Sequence, residues 1–265
     1  MSLDLDRCAE VAGELADLAG AVLRRHFRTS LAVESKADRS PVSRADREAE
    51  RAMRAHLARV LPDHAVVGEE FGGTFPEDRP VWVLDPLDGT RAFLAGRPTF
   101  GIALALLEKG RPVLGLVDQP ITGDRWIAVR GRGCRFRGVP ARTRPCPRLA
   151  AAVASTTSPE MFLDSPWEGL YHALRRRVRF FVYGGDCIGY ALLAAGFADL
   201  VVERELAPHD FLPLVPLVEE AGGLVTDLAG APLGPASAGE VVAAGDARVH
   251  AEVLALVRTI LRPAG

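Results

Sequence analysis

Trp82-Val83-Leu84-Asp85-Pro86-Leu87-Asp88-Gly89-Thr90 carries an apolar run directly into two carboxylates, a glycine and a hydroxyl. Carboxylate oxygens suit a hard cation, and free backbone N–H groups at a glycine turn suit an anion bridged by that cation. The run 81–84 is apolar enough for a buried strand, so Asp85 is expected at its end. There Pro86 stops the ladder and a turn aims Asp85 and Asp88 at one point. Gly89 permits a close backbone path, and Thr90 is expected to N-cap a helical turn that begins at Arg91. Asp, Gly and Thr are also ordinary turn residues. Two further features weigh toward chemistry: Gly68-Glu69-Glu70 follows another apolar run, Ala65-Val66-Val67, and Asp210 opens a later apolar helix.

The elements that must position these residues follow from periodicity. Apolar residues recur at three and four over 5–27, an amphipathic helix. The period is lost over 29–41, which reads as a loop. Ser43-Arg44-Ala45-Asp46 then starts a second helix that runs to about Leu61. After the two acid-bearing strands, 99–107 and 113–117 form a hairpin around Glu108-Lys109-Gly110-Arg111-Pro112, and 126–129 and 134–138 are further short strands. The segment 140–147, rich in Pro and Arg, links two halves. Beyond it strands are expected at 149–155, 178–183, 199–202, 224–226 and 241–244, and helices at 159–176, 187–196, 211–221 and 247–261. The fold class is therefore mixed α and β. An N-terminal half (1–145) places an antiparallel sheet after helices, and a C-terminal half (146–265) alternates α and β with sites at strand ends.

The chain has 265 residues, 48% hydrophobic and 25% charged, as in soluble globular proteins. A net charge of −2 argues against nucleic-acid binding as the main activity. One stretch, Arg125 to Arg148, holds eight arginines, Trp126, Phe136 and no acid. It suggests an RNA groove or a basic rim for phosphorylated substrates, but the solvated face of alternating strands is the ordinary explanation. No apolar run reaches the roughly 18–20 residues of a membrane span, and the start of the chain lacks a secretory pattern, so the cytoplasm is expected. Cys8, Cys134, Cys146 and Cys187 form no C-x-x-C and are expected as free thiols, with Cys187 packed rather than nucleophilic. A P-loop motif is absent.

The six residues Asp85 to Thr90, with Glu69-Glu70 upstream and Asp210 downstream, resemble the signature of the inositol monophosphatase superfamily. These are metal-dependent phosphomonoesterases that also include fructose bisphosphatases and nucleotide 3'-phosphatases. Gly184-Gly185-Asp186, Ala198-Asp199, Glu203, Asp210-Phe211 and Ala221-Gly222-Gly223 extend the resemblance over nearly the whole chain. It implies a layered αβαβα sandwich whose first half carries most metal ligands. It also implies that Glu69, Asp85 and the Leu87 carbonyl hold one ion, and that Asp85, Asp88 and Asp210 hold a second. Two or three Mg2+ ions are implied, with Mn2+ a substitute and Glu70 an alternative to Glu69. Paired cations of this kind neutralise phosphoryl oxygens, acidify a water and stabilise the leaving alkoxide. Glu69, Asp88 and Thr90 are the implied catalytic residues. Thr90, within reach of Glu69, would orient the water, and the N–H groups of Gly89 and Thr90 would hold the phosphate.

Arg91, Gly184, Gly185, Asp186, Glu203 and Asp210 are the implied substrate side. Lys36 and Asp46 match a mobile loop and an outer acid of the superfamily, although by residue type both are ordinarily solvated. His209 stands where many inositol monophosphatases have Trp; it could contact substrate, although packing or solvent contact is its ordinary role. Asp186 reads either as a helix N-cap or as an acid that attracts an amine. Arg91-Ala92-Phe93, Gly184-Gly185-Asp186-Cys187 and the stretch 206–211 look closer to the histidinol-phosphate phosphatase branch. L-histidinol phosphate is therefore the favoured substrate and inositol phosphate its rival. Nucleotide 3'-phosphatase or fructose-1,6-bisphosphatase-like activity, a polyanion-binding module and a catalytically silent metal-binding protein are the further alternatives. A homodimer is expected because relatives form one.

Overall fold

The strand Gly101–Glu108 is apolar at all but its last position, so both of its faces must be covered. The computed structural model, which describes residues 3–29, 33–35 and 41–260, shows how. In chain order the first half contains α1 (Leu5–His26), β1 (Val33–Ser35), β2 (Pro41–Ser43), α2 (Arg44–Val60), β3 (Ala65–Gly68), β4 (Val81–Asp88) and α3 (Thr90–Leu94). It continues with β5 (Gly101–Glu108), β6 (Arg111–Gln119), β7 (Asp124–Val129), β8 (Gly133–Phe136) and β9 (Val139–Ala141). The second half contains β10 (Val153–Thr156), α4 (Glu168–Arg177), β11 (Phe180–Tyr183), α5 (Cys187–Ala194), β12 (Leu200–Glu203) and α6 (Pro208–Phe211). It ends with α7 (Leu214–Glu220), β13 (Leu224–Thr226), β14 (Val241–Ala244) and α8 (Ala247–Ile260).

Strands β3 to β9 form one sheet in sequential order, antiparallel except for the parallel β3–β4 pair. The second sheet is mixed, in the order β11-β10-β12-β14-β13. Side-chain alternation sorts the apolar residues into layers. Leu104 and Leu106 face α1 and α2, whereas Ala103 and Ala105 face α5 and α7. Helices α5 and α7 also cover Val201 and Val241 of the second sheet, whose other face, with Val202 and Val242, packs on α4 and α8. This is the five-layer αβαβα arrangement. Asp4 caps the head of α1 by accepting from Asp6 N (3.1 Å) and Arg7 N (3.0 Å), and Arg24, Arg25 and His26 oppose the dipole at its tail.

Several boundaries differ from the sequence reading. The segment read as a loop over 29–41 includes β1 and the start of β2, which pair antiparallel. β4 does not stop at Pro86. It runs to Asp88 through a bulge, because Asp85 pairs with Ala103 and Asp88 with Gly101, leaving one residue extra on β4. The bulge accommodates the residue that lacks an N–H. Gly89 (φ 88°), not Thr90, is the N-cap of α3, and Thr90 is its first helical residue. Helix 211–221 is instead two pieces, α6 and α7, and helix 159–176 is a 3-10 turn, Pro159–Met161, followed by α4.

Candidate active site

The ends of β3 and β4 bring the acids together. Asp85 is buried, and its Oδ1 accepts the Leu87 N–H at 3.0 Å across the bulge. Asp88 Oδ2 accepts the Cys187 N–H at 2.5 Å, so the first donor of α5 is capped by an acid 99 positions away. Asp210 Oδ2 accepts the Ala207 N–H at 2.7 Å, which fixes its carboxylate at the head of α6. Carboxylate oxygens of Asp85, Asp88 and Asp210 lie within 4.8 Å of one another. One ring nitrogen of His209 and oxygens of Glu69 and Asp85 do the same.

Burial pushes the Asp85 carboxyl well above the usual range, and repulsion from Glu69, Asp88 and Asp210 adds to it. Asp88 is raised by burial and then by Asp186 and Asp210, and Asp210 is raised chiefly by burial. Three crowded acids on rigid elements, Asp85 buried and the other two half-buried, are the donor set a divalent cation fits: oxygen-only, and close enough for one ion at roughly 2.0–2.6 Å from each ligand.

An inner ring of acids that composition does not reveal supports this cluster. Asp46, read as solvated, is 0% exposed because it lies on the buried stripe of α2, and its Oδ1 is 3.3 Å from Thr90 Oγ1. The Thr90 hydroxyl has the Leu87 carbonyl as its other acceptor, at 3.2 Å, and Thr90 and Glu69 line the same cleft. Glu50, one turn further along α2, is also 0% exposed. Its Oε1 accepts from Arg54 Nε and its Oε2 from the Glu70 N–H, each at 2.7 Å. A Cβ on Gly68 would stand 1.9 Å from Glu50 Oε1, so glycine is required where β3 turns into Glu69. The signal was present: 46, 49, 50, 53 and 57 form a helical stripe, which puts two acids among Ala49, Met53 and Leu57. Glu70 points its carboxylate inward, with Oε2 3.8 Å from Arg47 Nε. Lys36 lies outside the described residues.

The C-terminal half supplies the opposite wall. Gly184 (φ 75°) and Gly185 lead from β11 into Asp186, whose own φ of 47° with ψ −131° is a strained conformation for a residue with a Cβ. Asp186 occupies the N-cap position of α5, yet its side chain makes no cap hydrogen bond. Asp186 is thus the N-cap by position without capping through its side chain, and Asp88 accepts the Cys187 N–H instead. Asp186 Oδ2 would sit 2.9 Å from a Cβ on Gly89, so the bare Gly89 backbone leaves room for the carboxylate.

Burial lifts Asp186 to about 6, with Asp210 adding to the rise and the Gly185 N–H, Arg91 and Arg97 opposing it. Thr157 holds this loop at two points: its carbonyl accepts the Gly184 N–H at 3.0 Å and its hydroxyl accepts the Asp186 N–H at 3.1 Å. The Thr157 N–H in turn donates to Oε1 of buried Glu203 at 2.7 Å. Burial pushes Glu203 up to about 7 against that bond.

A cleft of about 540 Å³ opens between the walls, lined by Glu69, Thr90, Arg91, Arg97, Glu160 and Asp186 among others. A smaller cavity of about 140 Å³ beneath it touches Asp88, Asp186, Tyr190, Glu203 and Asp210. Arg97, Thr157, Glu160 and Glu205 of this site belong to no motif. They reach the cleft only because loops from both halves meet there. Cys187 is buried, and that burial pushes its thiol well up, as packing requires; all four cysteines are free.

The arginine-rich stretch is largely paired with acids from other segments. Arg125 bonds Asp118 (2.6 Å) and Asp17 (2.7 Å), Arg144 bonds Asp199 (2.6 Å), and Arg132 and Arg137 pair with Asp6 and Asp124. Trp126 is buried and stacked on Phe136, with centroids 4.5 Å apart. Among the described residues no helix is long and apolar enough to cross a membrane.

Known proteins share this arrangement. The sequence profile of the inositol monophosphatase family matches residues 4–262. The chain is 46% identical over 260 residues to the bifunctional phosphatase IMPL2, chloroplastic, of Arabidopsis thaliana, covering 95% of this chain and 75% of that protein. It is 39% identical over 267 residues to a histidinol-phosphatase of Streptomyces coelicolor, covering 95% and 96%. The solved structure of an inositol monophosphatase from Zymomonas mobilis superposes with a TM-score of 0.88 at 44% identity, over 97% of this chain and 100% of that one. Fold, acid cluster and sequence agree: the chain belongs to the inositol monophosphatase family of metal-dependent phosphomonoester hydrolases.

Proposed function

We propose that this chain is a Mg2+-dependent phosphomonoesterase that releases phosphate from L-histidinol phosphate. The observation that carries the substrate reading is Asp186: a carboxylate with no helix-cap bond, pressed against Gly89 on the wall of the cleft. An acid there attracts an amine and repels a bare polyanion. Glu160 and Glu205 add negative charge to the same cleft.

Glu69, Asp85, the Leu87 carbonyl, Asp88 and Asp210 would hold the two or three Mg2+ ions, with Mn2+ a substitute. Bound there, such cations would supply charge neutralisation at the phosphoryl oxygens and a more acidic water. The remaining work belongs to the chain itself. The Thr90 hydroxyl, placed between Asp46 and the Leu87 carbonyl, orients the water, and the Gly89 and Thr90 N–H groups hold the phosphate. Arg91, 78% exposed in its side chain and 4.0 Å from Glu160 Oε2, draws the phosphate to the rim.

Inositol phosphate is the second reading, favoured by the close likeness to the Zymomonas mobilis enzyme. The enzyme acts in the cytoplasm as a homodimer without nucleic acid; residues 1–145 act as a subdomain that carries most metal ligands, and residues 146–265 as one that carries Asp210 and the substrate-recognition residues. The paired state of the arginine stretch supports the absence of nucleic acid. The test is Asp186→Asn: its ratio of kcat/KM for histidinol phosphate to that for glycerol 2-phosphate should fall about tenfold or more from wild type. An unchanged ratio rejects Asp186 as the amine partner.

A further inference from the structure

Packing or solvent contact is the ordinary role of His209 in the sequence, but its ring faces the acids. One ring nitrogen lies within 4.8 Å of a Glu69 oxygen and an Asp85 oxygen, and those two oxygens are equally close to each other. The turn that carries it is held at both ends. Pro208 occupies the first turn of α6, and Asp210 Oδ2 accepts the Ala207 N–H at 2.7 Å. Asp210 Oδ1 stands 3.4 Å from His209 Nε2, and the side chain is only 20% exposed. Donors this close to one another can be drawn onto one cation at roughly 2.0–2.2 Å by small side-chain shifts.

We propose that His209 contributes a nitrogen ligand which, with Glu69 and Asp85, makes a mixed nitrogen and oxygen site for a first-row divalent transition ion. The proposal rests on the reading that the surrounding carboxylates hold divalent cations. An all-oxygen set favours Mg2+, which gives up its water reluctantly. Replacing one oxygen by imidazole nitrogen raises affinity for first-row transition ions more than for Mg2+, in an order that climbs from Mn2+ to Cu2+ and falls at Zn2+. The site shares Asp85 with the Asp85, Asp88 and Asp210 cluster, so a mixed-donor position would stand beside an all-oxygen one. This residue thus sets which ion occupies the Glu69 side of the cleft.

The test loads metal-free, full-length enzyme with Mn2+ and reads nitrogen coupling to the ion by pulsed electron paramagnetic resonance. Calorimetric titrations with Mn2+ and with Mg2+ accompany it for wild type, His209→Gln and His209→Phe. Wild type is expected to show a directly bound nitrogen that disappears in both variants. Mn2+ affinity should fall about tenfold in the variants while Mg2+ affinity stays within about twofold. A wild-type spectrum without bound nitrogen, a nitrogen signal that survives both substitutions, or equal losses for the two ions overturns the assignment of His209 alone. Wild-type protein that binds neither ion overturns the metal reading of the acids and His209 with it. Thermal unfolding of the metal-free proteins separates a lost ligand from a lost fold.

Discussion

Asp88 does two jobs that one substitution separates. Its Oδ2 holds the Cys187 N–H at the head of α5, and its charge serves the cation cluster. Asp88→Asn keeps an acceptor oxygen at the same size but removes the charge, so phosphate release should fall at least about a hundredfold while α5 stays docked. Asp88 is raised by burial and by its acidic neighbours, so its ionised form opposes folding in the absence of metal. Metal-free Asp88→Asn should therefore melt at or above the temperature of metal-free wild type at pH 8, and a clear drop would show that the carboxylate is structural. Residues of this kind were legible because an acid at the end of an apolar strand has few uses. Thr157 was not legible, because a threonine between strands is unremarkable until its hydroxyl is found under Asp186. Asp46 and Glu50 were readable only by following the stripe of α2 instead of residue type.

At the scale of elements, the β3 turn depends on a buried acid and a missing side chain. Gly68→Ala would drive a Cβ into Glu50 Oε1 and displace Glu69, so a loss of about 3 kcal/mol is expected in urea unfolding, together with reduced phosphate release. Wild-type stability in that variant would mean that Glu50 moves freely. Glu203 links strands β12 and β10 through the Thr157 N–H, and burial raises it from an ordinary glutamate value to about 7. A carboxyl raised on folding binds its proton more tightly in the native state, so its contribution is fully present below the unfolded value. That contribution is lost as pH rises toward 7.

Glu203→Gln retains the acceptor oxygen and removes the titration. Its melting temperature relative to wild type should rise between pH 5 and pH 8, by on the order of 5 °C. A difference that does not change with pH contradicts the buried-charge account. Most strands and helices were readable from apolar runs and period, but Leu149–Ala151, read as the start of a strand, is a 3-10 turn that precedes β10. The β4 bulge was not, because a proline reads as a terminus and only the partner strand reveals the extra residue.

The whole molecule shares one core across its two halves. Val83 and Ala103 of the first sheet meet Val201 and Val241 of the second through α5 and α7, so neither half closes its own interior. Calorimetry should show a single unfolding transition, and residues 1–145 alone should not give a cooperative one; two separable transitions would instead make the halves independent domains. The layer order followed from family resemblance and not from periodicity, since the pairing of distant strands leaves no local trace. The cleft lies where these halves meet, which is why substrate choice tests the account as a whole. The direct measurement is kcat/KM of the wild-type enzyme, with saturating Mg2+, for L-histidinol phosphate and for inositol 1-phosphate by phosphate release. A preference for histidinol phosphate of at least about tenfold is expected, with turnover of both substrates lost when EDTA is in excess over the metal. Equal rates, a preference for inositol phosphate, or turnover indifferent to EDTA would contradict it.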